Sequence, residues 1–285
     1  ATFWINTEGG ASSGALPLLW FGLYEERVPV GDPPQGSNDV LEWQPLQTAA
    51  SYQRAVRRIK SHIRAGDTYQ VNYTYQLGAG LRGEPLALYF DLVAAQSAAY
   101  CAYIDTGAAQ VLSVSPELFF ARWGDHVVCR PMKGTSARGR WVEEDRRALA
   151  RLQASDKDRA ENVMIVDLIR NDLGRVAEFG SVRVSRLFEA ERYETVWQLT
   201  STVEARLRAG TGTVELFRAL FPCGSVTGAP KIRTMQIIAE LEEEPRGVYC
   251  GAIGMLAPPG SEGPDAVFSV AIRTAAIDPV GAAAR

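Results

Sequence analysis

Cysteine and histidine are scarce in this chain, and neither is spaced for metal binding. The four cysteines, Cys101, Cys129, Cys223 and Cys250, form no C-x-x-C pair and stand at no ligand-like spacing from the two histidines. That argues against zinc, and buried reduced thiols in a cytoplasmic protein are the expectation. No apolar run is long enough to span a membrane, and no basic-then-apolar signal opens the sequence, which starts at Ala1. Excess charge of one sign is also lacking. A formal net charge of −3 over 285 residues, with basic residues scattered, leaves no nucleic-acid footprint. Arg54, Arg57, Arg58 and Lys60 read as the solvated face of one helix. No internal repeat is present.

What the chain does have is hydrophobic patterning of two periods, enough for one large domain or two intimate ones. Helical spacing predicts helices over Tyr52–Ala65, Leu86–Ala98, Ser155–Arg175, Leu216–Phe221 and Pro230–Glu242. Gly66 stops the first, Ser155 and Asp158 cap the third, and Pro230 opens the last. Strands are predicted at Thr2–Asn6 and Leu18–Tyr24 around a Gly/Ser loop, and at Asp67–Leu77, Ala99–Thr106 and Gln110–Val114. Further strands fall at Leu118–Trp123 and His126–Arg130 around a Gly124-Asp125 turn, then at Val182–Leu187, Thr195–Arg206, Val248–Leu256 and Ala266–Ala276. Val30–Asp39 reads as a polar linker and Arg138–Arg146 as a mobile loop leading into a helix. The expected fold class is α+β, a large antiparallel-rich β-sheet core flanked by helices. Residues 1–50 are expected to form N-terminal strands and a linker packed on the core, and 51–285 the catalytic domain.

Two turns carry the most chemistry. Ser115-Pro116-Glu117 is followed by Arg130-Pro131-Met132-Lys133-Gly134-Thr135, and proline and glycine fix both segments beside strand-like runs. Glu117 could deliver a proton and Lys133, once neutral, could attack carbon. The competing reading is a surface carboxylate and a hairpin lysine. Asp158, Glu161 and Asp172 return to one helical azimuth, as a Mg²⁺ site needs, though acidic residues there also offset the helix dipole. Gly224 through Lys231 is a Gly-rich turn feeding a helix, either an anion cradle or a plain turn; Lys231 and Arg233 could equally face solvent. Tyr249 and Arg273 sit in apolar, strand-like runs. Arg273 needs an anion, either a substrate carboxylate or an internal partner.

The order of these motifs resembles the chorismate-utilising enzymes. The resemblance runs from about Tyr52 to Arg273. It rests on Gly66 through Asn72, Ser115-Pro116-Glu117, Arg130 through Thr135, Asp156 through Asp172, Gly224 through Lys231, and Arg246 through Gly251. It implies chorismate as substrate and Mg²⁺ as cofactor, with Glu161 a metal ligand and Asp158 a nearby acid. It also implies that Tyr249 and Arg273 contact a substrate carboxylate, and that Gly134, Thr135, Thr227 and Gly228 line the pocket. Glu117 matches the general acid for the departing C4 hydroxyl, so burial should raise its pKa.

Two positions then divide the reactions. Water-adding members carry a lysine where this chain has Gln70, and glutamine cannot deprotonate water. Anthranilate-forming members usually carry alanine where this chain has Lys133. Lysine resembles the members that form 4-amino-4-deoxychorismate from chorismate and ammonia, on the route to p-aminobenzoate and folate, through a covalent amine relay. Ammonia would come from a glutamine amidotransferase subunit, since no glutaminase cysteine motif is visible. Anthranilate formation is the alternative, and an inactive chorismate- or partner-binding subunit is a third. The chain departs from the family at Gln198, where a histidine is common. Members also continue past the strand matched by Arg273 into a further strand and a helix bearing the other Mg²⁺ carboxylates. The resemblance thus implies more chain after Arg285 and half a metal site before it.

Overall fold

In the computed structural model the described residues are 2–5, 16–31, 33, 34, 36, 38–258, 260–278 and 283–284. The chain runs through β1 (Thr2–Ile5), β2 (Leu19–Gly22), β3 (Asn38–Val40) and β4 (Gln44–Pro45) to helix α1 (Ala49–Ala65). β5 (Gln70–Val71), β6 (Leu77–Gly83), α2 (Pro85–Gln96), β7 (Tyr100–Asp105) and β8 (Gln110–Ser115) follow. Next come β9 (Leu118–Trp123), β10 (His126–Arg130), β11 (Met132–Ala137), α3 (Val142–Gln153) and α4 (Asp156–Gly174). After β12 (Arg183–Arg192), β13 (Val196–Arg206) and α5 (Thr213–Leu220) stand β14 (Gly228–Ala229) and α6 (Lys231–Leu241). β15 (Ala252–Leu256), β16 (Ala266–Val270), β17 (Thr274–Asp278) and β18 (Ala283–Ala284) are the last elements. Asn6 and the Gly/Ser loop expected after it lie outside the described residues, as does part of the linker.

Two seven-stranded sheets dominate. One has the order β11-β13-β10-β9-β16-β15 with β12 on β13, and the other β3-β6-β18-β17-β8-β7 with β4 on β6. The strand pairs within both are antiparallel, as the alternating patterns predict. The main core lies where β9, β10 and β13 meet α4 and α5, through Phe120, Val127, Ile165, Leu173, Val203 and Leu216. Burying each such side chain contributes about 1.5–3 kcal/mol. A second core joins α2 to the other sheet through Leu81, Leu88, Leu112 and Ile277.

The chain passes between the sheets at two neighbouring points. It leaves β8 for β9 through Ser115-Pro116-Glu117, and leaves β16 for β17 through Ala271-Ile272-Arg273. The crossings are tied together: Ser115 Oγ donates to Val270 O at 2.6 Å, and Val270 N donates to Glu117 O at 3.1 Å. Glu117 therefore sits at the seam of two sheets, where water is excluded.

Helix ends follow the sequence closely. Thr48 Oγ1 accepts from Ser51 N, Gly66 ends α1 with φ 80°, and Ser155 accepts from Asp158 N. Several stretches differ. Asp67–Leu77 is not one strand: Gln70–Val71 forms a short ribbon with β14, and residues 72–76 are irregular. There Arg246 and Glu242 hold Asn72 and Thr74, overriding the β-propensity of Tyr73 and Tyr75. Tyr249 lies in a turn ahead of β15, bent by Gly247 and Cys250 at φ 60° and 64°. Arg273 interrupts the predicted Ala266–Ala276 strand at φ 49°, because the chain changes sheets there. Arg138–Arg146 is pinned rather than mobile. Arg138 donates twice to Asp145, which also accepts from Trp197 and Gly139, and α3 starts at Val142.

Arg246 ties three segments into one wall. It donates to Val226 O and Asn72 O at 2.7 Å each and pairs with Glu242 at 2.7 Å, the two side chains being 16% and 7% exposed. Removing one partner of such a pair strands the other charge. Arg246→Met should lower the unfolding free energy by about 3–5 kcal/mol in urea titrations. An unchanged midpoint would show that the wall does not depend on this pair.

Candidate active site

Lys133 reaches the seam because β11 bulges. Met132 pairs with Thr200 and Thr135 with Gln198, so Lys133 and Gly134 together face Leu199. Gly134 has φ 100°, and a Cβ there would stand 3.1 Å from Asp158 Cβ and 3.3 Å from Leu199 Cδ1. Only glycine fits that conformation so close to α4. Buried Asn162 braces the bulge from the helix, donating to Lys133 O at 3.4 Å and accepting from Ser201 Oγ at 2.6 Å.

Glu117 is 3% exposed and accepts a long bond, 3.4 Å, from Met132 N. Burial pushes its carboxyl up from 4.5 to about 7; the Ser225 hydroxyl, the Lys133 ammonium and the Met132 N–H pull the other way without cancelling it. The acid and the amine proposed from sequence are thus neighbours, and Glu117 is not a surface carboxylate.

The wall opposite is the ribbon of β5 and β14. Gly228 pairs with Val71 and Ala229 with Gln70. A Cβ on Gly228 would lie 2.1 Å from Gln70 O, so glycine is what lets the two strands meet. Thr227, 3% exposed, donates its hydroxyl to Cys223 O and Gly224 O, within its own turn. Two buried amide oxygens, Gln70 Oε1 and Gln198 Oε1, have no hydrogen-bond partner. Such atoms carry a desolvation cost unless a ligand supplies the donor. Gln198 does use its Nε2, which donates to Thr135 Oγ1 at 3.5 Å.

Tyr249 and Thr227 line one cavity of about 510 Å³ with Phe221, Met235, Ile238 and Arg246. Arg273 donates to Gln96 Oε1 at 2.8 Å, and among the described residues it forms no ion pair. Its charge reaches Tyr193, which with Arg130 and Thr200 surrounds Glu191. A larger cavity, about 750 Å³, lies between the outer face of α4 and β12 and holds none of the predicted site residues.

Asp158 and Glu161 are half-buried one helical turn apart, with Lys157 Nζ 3.9 Å from Glu161. Among the described residues no three His, Cys, Asp or Glu side chains could hold a metal by themselves. The pair nonetheless suits Mg²⁺, which takes one or two carboxylates and completes its shell from water and ligand oxygens. Asp172 does not join them. Eleven residues along a helix is about 16 Å, and Asp172 instead pairs with Lys231 at 2.5 Å. Lys231 is thereby left only 12% exposed, whereas Arg233 stays on the surface between Asp67 and Glu240.

Asn162 and Ser225 escaped the sequence reading as site residues. Ser225 lay inside the Gly-rich turn already singled out, and Asn162 one residue beyond Glu161. Glu191 gave no local signal, because its partners come from distant strands.

The family signature described as chorismate binding enzyme matches residues 11–283. An anthranilate synthase component 1 from Streptomyces coelicolor is 43% identical over 81% of this chain and 45% of the relative. An aminodeoxychorismate synthase component 1 from Klebsiella aerogenes is 46% identical over 75% of this chain and 48% of the relative. The solved structure of anthranilate synthase component I from Streptococcus pneumoniae superposes with a TM-score of 0.77 at 34% identity, over 86% of this chain and 53% of that one. The chain spans about half the length of the curated relatives it matches.

The raised Glu117 pKa has a thermodynamic signature. Folding favours the protonated acid, so its stabilisation is complete below about 4.5 and lost as pH rises through about 7. Glu117→Gln removes that dependence. Between about pH 4.5 and pH 8 the variant should gain about 3 kcal/mol over the unmodified protein in urea unfolding. Parallel pH profiles for the two proteins would mean an ordinary carboxyl.

Proposed function

The chain belongs to the chorismate binding enzyme family, and from that premise we propose that it replaces the C4 hydroxyl of chorismate with an amine taken from ammonia. The observation that carries this reading is Lys133 on a bulge beside a buried Glu117 that is still half protonated near pH 7. After its ammonium proton has passed to solvent, Lys133 Nζ forms a bond to C2 with its freed electron pair, the ring double bond shifts, and the C4–O bond breaks as Glu117 delivers a proton, releasing water. Ammonia then bonds to C4, the double bond shifts back, the C2–N bond to Lys133 breaks as the amine regains its electron pair, and a proton from the new C4 ammonium returns to Glu117. Chorismate and ammonia become 4-amino-4-deoxychorismate and water. Two allylic steps replace one direct substitution of a poor leaving group.

The remaining groups take supporting roles. Arg273, which has no carboxylate partner among the described residues, is matched to a substrate carboxylate, and Tyr249 to the same end of the substrate. Gln70 holds no titratable base against the ring, which favours nitrogen over water as nucleophile. Asp158 and Glu161 would hold Mg²⁺, whose charge would offset that of a bound carboxylate. The relatives' designation as component 1 supports a partner that supplies ammonia, a glutamine amidotransferase. The four free cysteines fit a cytoplasmic setting. No helix among the described residues is long and apolar enough to cross a membrane.

Relatives named for anthranilate and for aminodeoxychorismate synthesis match at similar identity, so identity does not choose between the two products. Lys133 does. Incubated with chorismate, Mg²⁺ and an ammonium salt, the full-length protein should form aminodeoxychorismate. Lys133→Ala should reduce that rate by about 10²-fold or more, and Glu117→Gln by about 10²–10⁴-fold. Anthranilate as the product, or undiminished activity in Lys133→Ala, would remove the amine relay.

A further inference from the structure

Gln198 stands on β13 directly across from Thr135, one residue from the bulge that carries Lys133. It is 7% exposed, and its Nε2 is committed to Thr135 Oγ1. That bond leaves Oε1 buried and without a donor. An amide oxygen only accepts, so it repels a carboxylate and calls for an N–H or O–H group. Chorismate as read above brings two carboxylates and an ether oxygen, all acceptors, and one hydroxyl that departs. Ammonia brings three N–H groups. Its other acceptors nearby are weak candidates: Glu117 is largely engaged as an acid, and Glu191 is already bonded by Arg130, Thr200 and Tyr193. Gln70 Oε1 and Glu189 Oε2 are equally unpaired, but Gln70 stands on the β5–β14 ribbon, and Glu189, opposite Thr200, is a carboxylate already paired with Arg186.

We infer that Gln198 Oε1 is the acceptor that holds ammonia for attack, making Gln198 a residue that binds the nitrogen substrate rather than chorismate. The inference rests on the proposed use of ammonia. A neutral acceptor suits this task, because it orients the N–H groups without stabilising ammonium so strongly that the nucleophilic lone pair is lost.

The test is a steady-state comparison of full-length unmodified protein, Gln198→Met and Gln198→Glu at one fixed alkaline pH, varying ammonium salt and chorismate separately. Methionine keeps the volume and removes the acceptor; glutamate keeps an acceptor oxygen in either protonation state. Gln198→Met should raise KM for ammonium about tenfold, the worth of one hydrogen bond, with KM for chorismate unchanged. Gln198→Glu should restore most of the KM for ammonium but at a lower kcat, because its charge holds the nitrogen as ammonium. A rise in KM for chorismate instead would mean that the amide presents its NH₂ to a carboxylate, and overturns the assignment. A fall in kcat with both KM values unchanged would place the oxygen on Lys133 Nζ, and also overturns it. If the unmodified protein makes anthranilate, the product reading fails while the KM split still reports on Gln198, since that reaction too consumes ammonia. No use of ammonia at all overturns both.

Discussion

Everything in this site depends on one carboxyl being kept from water at the seam of two sheets. Glu117 lies where β8 hands over to β9, and the return crossing from β16 to β17 closes over it through Val270. A carboxyl on either sheet's outer face would ionise normally. At the junction it loses hydration, and the Lys133 charge, the Ser225 hydroxyl and one long backbone bond only partly compensate. The outcome is an acid that still holds its proton near neutrality, a property of topology more than of sequence neighbours.

The surrounding structure fixes what must meet that acid. A bulge in β11 turns Lys133 out of the ladder, and the α4 helix backs the bulge so closely that Gly134 has no substitute. The Gly224–Lys231 segment brings Ser225 to the other side of Glu117. Two buried ion pairs hold that segment at its flanks, Asp172 with Lys231 and Glu242 with Arg246. Buried pairs of this kind contribute little net stability against apolar replacements, but they fix geometry, because breaking one is costly. Two buried amide oxygens, at Gln70 and Gln198, are left without a donor that a ligand could supply.

Much of this was legible from the residues alone. Strands with alternating apolar positions, such as Leu118–Trp123, and helices with capping residues, such as Ser155, carry their signal locally. The Glu117–Lys133 pairing was legible as a motif, since proline and glycine mark both turns. Three features were not. β11 has no apolar alternation over Lys133-Gly134-Thr135-Ser136 and is a strand only because β13 pairs with it. Arg273 takes a left-handed conformation because the chain changes sheets there, which no local preference announces. Asp172 shares an azimuth with Glu161 but not a neighbourhood; helical periodicity reports direction and is silent about distance along the axis. Asp67–Leu77 failed for the opposite reason, a strong β-propensity overruled by contacts to Arg246 and Glu242.

The proposed chemistry therefore depends on the protonation state of a single side chain. Carbon-13 NMR of the full-length protein, labelled at glutamate carboxyls and titrated with pH, reads it directly. One resonance, absent in Glu117→Gln, should titrate at about 7. If every glutamate, Glu117 included, titrates in the ordinary carboxylate range, the seam does not hold an acid and the chemistry built on it is wrong.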